Sequence, residues 1–337
     1  MNNLPLTFSF FVICLLNHSM SNHFGPAVYQ LTDPVDHGEG PTWDSRTGLL
    51  YFVDIFDGRV LSYDPETSCI NAITFNGAVT PVIPSQSDPH LLIVGVNRSV
   101  YAVEWNGKGK IGATKLLTTV SQQFPTSRFN DGKADKEGRL WFGTMGFEGS
   151  TGVAPNEGVL YTFTRENLLS PPAVIAPVNI SNGLAWNKAN DKFYYIDTPT
   201  LTVREYDYDN ESGKVSNPRV VFDLRRFTTI GGFPDGMTID KDDNLWIALY
   251  FGGAVIKVDP KTGDILQMVA IPAQCVSSVS WGGPNLDILF VTTSRHALSK
   301  QEKIRQPAAG SLFAIKNLGT HGLPAFHANI IDRIDLH

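Results

Sequence analysis

Residues 38–64 read GEGPTWDSRTGLLYFVDIFDGRVLSYD, and the fold is decided by how this stretch is read. Leu49-Leu50-Tyr51-Phe52-Val53 combines aliphatic, aromatic and β-branched side chains in a run too short for a helix and strongly strand-forming. A second run, RVLSYD from Arg59, alternates more cleanly. Ahead of the first run lies another strand ending in Asp44-Ser45-Arg46-Thr47-Gly48, a turn built from residues that hydrogen-bond their own backbone or tolerate unusual dihedrals.

The same order recurs along the chain. First-type runs stand at Leu91-Leu92-Ile93-Val94, Leu140-Trp141-Phe142, Phe193-Tyr194-Tyr195-Ile196, Leu245-Trp246-Ile247-Ala248 and Ile288-Leu289-Phe290-Val291. Second-type runs follow, starting near Ser99, Val159, Thr202, Ala254 and Ser311, with comparable turns at 135–138 and 240–244. Copies of about 40 to 50 residues, each with three or four strands, have the period of a propeller. The fold predicted is all-β: a six-bladed β-propeller with four-stranded antiparallel blades around a central channel. A stacked β-sandwich would not require so regular an order of strand types. No segment sustains a 3.6-residue period, so helices should be minor. The last copy lacks an obvious fourth strand. Ala27 to Thr32 can supply it, closing the ring and hiding the sheet edges of the first and last blades.

Hydrophobic content of 42% with 18% charged residues is that of a folded chain rather than a disordered one. The net charge of −6 is spread out and no basic block occurs, which argues against nucleic acid and membrane surfaces as partners. Nothing in the chain points to a protein partner. Leu4 to Leu16 is apolar, uncharged and short for a bilayer span, and Ser19-Met20-Ser21 places small residues before Asn22. Residues 1–21 therefore read as a secretory signal peptide, although Lys and Arg are absent from its start, and residues 22–337 as a single propeller domain. The expected location is extracellular, or cytoplasmic if the leader does not function. Sequons at Asn97, Asn179 and Asn210 are compatible with secretion. Cleavage removes Cys14. Cys275 should then lie on the mouth face and Cys69 on the opposite one, roughly 15 Å or more apart, so both are expected to be free thiols.

The first strands of the blades, aligned on Trp43, Ile83, Ala134, Trp186, Ile239 and Trp281, carry Glu39, Val79, Asn130, Asn182, Asp235 and Ser277 four residues upstream. Glycine follows Glu39, Asn182 and Asp235 directly. In the third copy Gly132 falls one residue later, so a bulge there would make Asp131 the equivalent position. Innermost strands line the channel, so equivalent positions converge on its axis. Two carboxylates and an amide meeting there are costly unless paired. One divalent cation of the oxygen-seeking class (Ca, Mg or Mn) resolves that cost, with coordination positions left for water and substrate. A water-filled channel lined by the same polar groups is the alternative. Strand direction brings Arg128, which precedes the third blade, and Glu148, in its long second loop, to the same mouth.

Gly38-Glu39-Gly40-Pro41, Arg128-Phe129-Asn130-Asp131-Gly132-Lys133, Gly143-Thr144-Met145, Ser181-Asn182-Gly183-Leu184 and Pro234-Asp235-Gly236-Met237, in this order, resemble the regucalcin (senescence marker protein) and gluconolactonase family. That group includes the luciferin-regenerating enzyme of fireflies and related insect proteins, and an insect-type member is expected. The resemblance extends from about Tyr29 to Pro324. It implies a six-bladed propeller with one divalent metal, calcium and zinc among those known, held by Glu39, Asn182 and Asp235. It also implies that Arg128, Asn130 and Glu148 contact substrate. The apolar leader is a departure, since regucalcin is intracellular.

The activity implied is metal-dependent hydrolysis of small lactones. The metal would polarise the lactone carbonyl and activate water, with Asp235 as candidate general base. Arg128 and Asn130 would orient substrate and hold developing negative charge, and Glu148 would accept hydrogen bonds. No Gly-x-Ser-x-Gly elbow is present to suggest an acyl-serine route. Two alternatives stay open: a non-catalytic calcium-binding propeller, and a luciferin-regenerating activity in the same pocket. Phe147 and Phe233 near the mouth suit a flatter, more apolar substrate than gluconolactone, or serve only loop packing.

Overall fold

The computed structural model describes residues 25–150 and 152–332, so the leader, its cleavage site and Cys14 lie outside the described part. Blade one is built from Gly38–Asp44, Leu49–Asp54, Arg59–Asp64 and Cys69–Thr74, hydrogen-bonded in that order. Five more antiparallel four-stranded sheets repeat the pattern. Their innermost strands are Val79–Pro84, Arg128–Ala134, Ser181–Trp186, Phe233–Ile239 and Cys275–Gly282, each packed against the innermost strands of its neighbours. The propeller expected from the repeat is the fold observed.

Burial explains the two kinds of run. A second strand such as Leu49–Asp54 is buried along its whole length, because adjacent blades cover both faces of its sheet. Such a strand has no need to alternate and reads as a continuous apolar run. The outermost strand Cys69–Thr74 is mostly exposed and reads as polar. Between blades the core is aromatic: Trp141 packs on Trp186 and Phe193 at 5.6 and 5.1 Å, and Trp246 meets Trp281 edge-on at 5.4 Å. Fully burying one such apolar side chain contributes about 1.5–3 kcal/mol.

The ring closes as expected. Ala27–Gln30 pairs antiparallel with Phe313–Lys316 and becomes the outer strand of blade six. Across the face opposite the mouth runs the chain after Lys316, tied down by bridges between Gly322 and Asp240 and between Ala328 and Ser85. Among the described residues the one α-helix is Lys300–Arg305, opened by a capping box of Ser299 and Glu302. Cys69 is exposed, Cys275 is buried, and both are free.

Candidate metal centre and substrate pocket

Each innermost strand breaks register near its mouth end. Pairing jumps between Glu39 and Thr42, Val79 and Val82, Phe129 and Gly132, Asn182 and Leu184, Pro234 and Met237, and Val276 and Ser278. The bulge suggested for the third blade alone therefore occurs in all six, and it re-aims side chains toward the axis. Equivalence between blades consequently holds only to one residue. Glu39 and Asn182 are the last regularly paired residues before their bulges, Asp235 lies inside its own, and Asn130 and Asp131 together form that of blade three. Two of the glycines have a physical reason here. Gly40 takes a left-handed φ of +54°, and a Cβ on Gly236 would come within 2.0 Å of Ser278 Oγ in the next blade.

Glu39, Asn182 and Asp235 are brought together, buried, in the wall of one cavity of about 550 Å³. The amide of Asn182 has a fixed orientation. Thr198 Oγ gives its only proton to Pro234 O at 2.9 Å, so it can only accept from Asn182 Nδ2 at 2.8 Å. Asn182 Oδ1 is left buried without a hydrogen-bond partner. Burial, reinforced by the charge of Asp131, pushes the Glu39 carboxyl up to about 8 against the opposing hydrogen bond from Gly40 N–H. Burial, then Glu39 and Asp131, hold Asp235 well above the ordinary carboxylate range. Asp131 is raised by burial as well. One of its oxygens accepts from Gly132 N at 2.7 Å and the other has no partner.

Such a set of uncompensated oxygens is what a divalent cation of the Ca, Mg, Mn or Zn type satisfies. Among the described residues no group of three or more His, Cys, Asp and Glu side chains is arranged to hold an ion, so the fit depends on the Asn182 amide as third ligand.

Arg128 is not an ordinary surface cation. Its side chain is 13% exposed, Nη1 donates to Phe129 O (3.0 Å) and Asn130 Oδ1 (2.9 Å), and Nη2 donates to Glu148 Oε2 (3.2 Å). The guanidinium lies 5.4 Å from the Phe56 ring centre. Asn130 Nδ2 donates to Ser181 O at 2.9 Å, which ties blade three to blade four. Both residues face the cavity, as does Glu148 from a small hairpin of Glu148–Gly149 and Gly152–Val153.

Three further residues were not singled out from the sequence. Thr198 sits in a 3-10 turn, Thr198–Thr200, and no spacing rule relates it to Asn182. His37 stacks on Tyr250 (6.0 Å) and meets Phe56 edge-on (5.4 Å), with burial holding its pKa down to about 3. Its position directly before Gly38-Glu39 was the available signal. Lys133, two residues along the strand from Asp131, is lowered to about 8 by burial and donates to Met237 O. It borders a smaller cavity of about 190 Å³ under Leu323 to Phe326.

The model of the family described as SMP-30/Gluconolactonase/LRE-like region matches residues 37–295. The chain is 36% identical to regucalcin of Bos taurus over 290 residues, 86% of this chain and 93% of that protein. It is 35% identical to the putative sugar lactone lactonase YvrE of Bacillus subtilis over 277 residues, 82% and 90% of the two chains. Among solved structures, a luciferin-regenerating enzyme superposes with a TM-score of 0.84 at 32% identity, covering 90% of this chain and 99% of that one.

Proposed function

The chain belongs to the SMP-30/gluconolactonase/LRE-like family, and from that premise we propose that it hydrolyses small lactones with the aid of one divalent cation. The observation that carries this reading is the unpartnered Asn182 oxygen gathered with two buried carboxyls. Asn182 Oδ1 and the buried carboxyls of Glu39 and Asp235, both held toward protonation, stand in the wall of a cavity that also presents the largely buried Arg128. A cation held by Glu39, Asn182 and Asp235 supplies Lewis-acid polarisation of an ester carbonyl and lowers the pKa of water.

The remaining work falls to side chains of this protein. Asp235 is the group suited to accept a proton from the attacking water and return it to the ring oxygen as the C–O bond breaks. Arg128 stays charged under its burial, since Glu148, Glu39 and Asp235 all oppose the lowering of its pKa. It can hold negative charge developing on the substrate, with Asn130 fixing its direction. Glu148, 49% exposed at the rim, positions Arg128 and can accept a hydrogen bond from substrate.

A second reading, regeneration of a luciferin-like compound in the same pocket, has in its favour the superposition on the luciferin-regenerating enzyme. The test is to strip the protein of metal, reload it with Ca, Zn, Mg or Mn in turn, and assay a panel of lactones. Cation-dependent turnover that disappears in Asp235→Ala supports lactone hydrolysis. Cation binding without turnover leaves a pure binding protein, and turnover indifferent to cation or to Asp235 overturns the proposed mechanism.

A further inference from the structure

Four phenylalanines around the mouth keep a third or more of their surface exposed: Phe56 37%, Phe147 54%, Phe233 43% and Phe251 41%. Phe233 and Phe251 form part of the wall of the cavity that contains Glu39, Asn182 and Asp235. Phe56 and Phe147 line an adjoining groove, and the two concavities share Arg128 and Glu148. Phe56 is partly covered by His296, at 4.1 Å, and Phe251 by Tyr250, at 4.9 Å, yet each keeps an open face, and several such partly exposed rings at one opening mark a place suited to covering by a ligand. The backbone at Phe251 strengthens the point. Its φ is +60°, a left-handed conformation that a bulky side chain resists, and glycines occupy the next two positions. An aromatic ring is kept where the turn would be easier without one.

Arg128 and Asn130, the polar groups that face the cavity beside the candidate cation site, are by contrast largely occupied with one another and with their neighbours. Arg128 serves Phe129 O, Asn130 and Glu148, while Asn130 accepts from Arg128 and donates to Ser181 O. A polyhydroxylated sugar lactone needs free donors and acceptors at each hydroxyl, and each one left unmet weakens binding. The rings at the mouth have no such demand.

We propose that the substrate is a small lactone carrying an apolar substituent, an alkyl chain or a flat aromatic ring, which lies against Phe233 and Phe251 while the lactone head faces Asp235 and Arg128. This rests on the lactonase reading above. The reaction is ordinary hydrolysis. Water adds its oxygen to the acyl carbon, the ring C–O bond breaks, and the displaced proton ends on the alkoxide oxygen to give an apolar-substituted hydroxy acid.

The experiment measures kcat/KM of the cation-loaded protein on gluconolactone, δ-valerolactone and phenyl-substituted δ-valerolactone. The substituted lactone is expected to exceed gluconolactone by about tenfold or more, in line with what apolar pocket contacts contribute to specificity. In Phe233→Ala and Phe251→Gly the ratio of substituted to unsubstituted lactone should fall about fivefold or more. Gluconolactone turned over as well as the substituted compound would overturn the proposal while leaving lactone hydrolysis intact. So would Phe variants that leave that ratio unchanged. Turnover of none of the three lactones would remove the hydrolase reading and this proposal together, which separates the two failures.

Discussion

The innermost strands carry buried carboxylates at both ends, and the two ends treat them differently. At the end away from the mouth, Asp135 accepts from Arg139 Nε (2.7 Å), Trp141 Nε1 (2.8 Å), Tyr208 OH (2.7 Å) and the turn N–H groups of Glu137 and Arg139 (3.0 Å each). Asp240 likewise accepts from Lys257, Trp246 and the N–H groups of Asp242 and Asn244. At the mouth, Asp131 has one oxygen with no partner, Glu39 is held toward protonation by burial and by Asp131, and Asp235 by burial, Glu39 and Asp131. All of these side chains are buried, so burial alone does not separate the two groups. What separates them is whether the protein completes the shell. A complete shell makes a structural tie between strands, whereas the incomplete one beside the cavity is the arrangement on which the proposed cation site rests.

The largest expected effect comes from breaking the completed end. Asp135→Ala takes the counter-charge from Arg139, which keeps only neutral acceptors, leaves the Trp141 and Tyr208 donors stranded, and should cost about 3–5 kcal/mol in urea unfolding. At the mouth, Asp235→Ala in the cation-free protein should change stability by less than about 1 kcal/mol in the same assay, because the lost hydrogen bond to Asn182 and attraction of Arg128 are offset by relief of its burial and of its repulsion from Glu39 and Asp131. Equal costs at the two ends would erase the distinction.

Thr198→Val comes next. Without its acceptor the Asn182 amide is free to turn, and cation affinity should fall roughly 10- to 100-fold, as when other groups that orient a ligand are removed. Unfolding of the stripped protein should hardly move, which separates loss of orientation from loss of fold.

A smaller effect is expected with pH. Glu39 in the folded, cation-free chain is raised to about 8 from an ordinary 4.5, so the folded state holds a proton that the unfolded state releases. The raised value favours the folded form at low pH, and that advantage is lost as pH rises from about 4.5 through 8. Thermal unfolding of stripped protein should therefore show a falling Tm from pH 5 to 8, while the Tm gained by saturating cation grows over the same range. A gain that is flat with pH would contradict the account.

The smallest effect is at the rim. Glu148→Gln removes one half-exposed partner of Arg128, worth less than about 1 kcal/mol, so stability should be unchanged and KM should rise only a few-fold.

Much of this architecture was legible in the sequence because blades repeat the same physical problem. Runs such as Leu49 to Val53 are apolar throughout since blades cover both faces, and the turns that contain Asp135 and Asp240 announce themselves by composition. Closure by the segment starting at Ala27 followed from counting strands, though the strand ends at Gln30 rather than Thr32. The trio of Glu39, Asn182 and Asp235 was legible because glycine after a polar residue breaks the pattern of an inner strand, and the structure does bring the three into one cavity. The six bulges were not legible, since they are a property of pairing register, and only the late glycine at Gly132 hinted at one of them. Thr198 was out of reach because its role comes from a turn that meets Asn182 only after blade four has folded. His37 and Lys133 left a signal, adjacency to Glu39 and Asp131 along a strand, that points to a shared channel but not to a function.

The central claim is that the incomplete shell at the mouth takes one cation, and calorimetric titration of the metal-stripped protein tests it most directly. Run near pH 7 in two buffers of different ionisation heat, the titration should show one divalent cation bound per chain, with release of protons as Glu39 and Asp235 ionise. Asp235→Asn should reduce both the affinity and the proton release. Absence of binding by the unaltered protein, or identical binding by Asp235→Asn, would contradict the account.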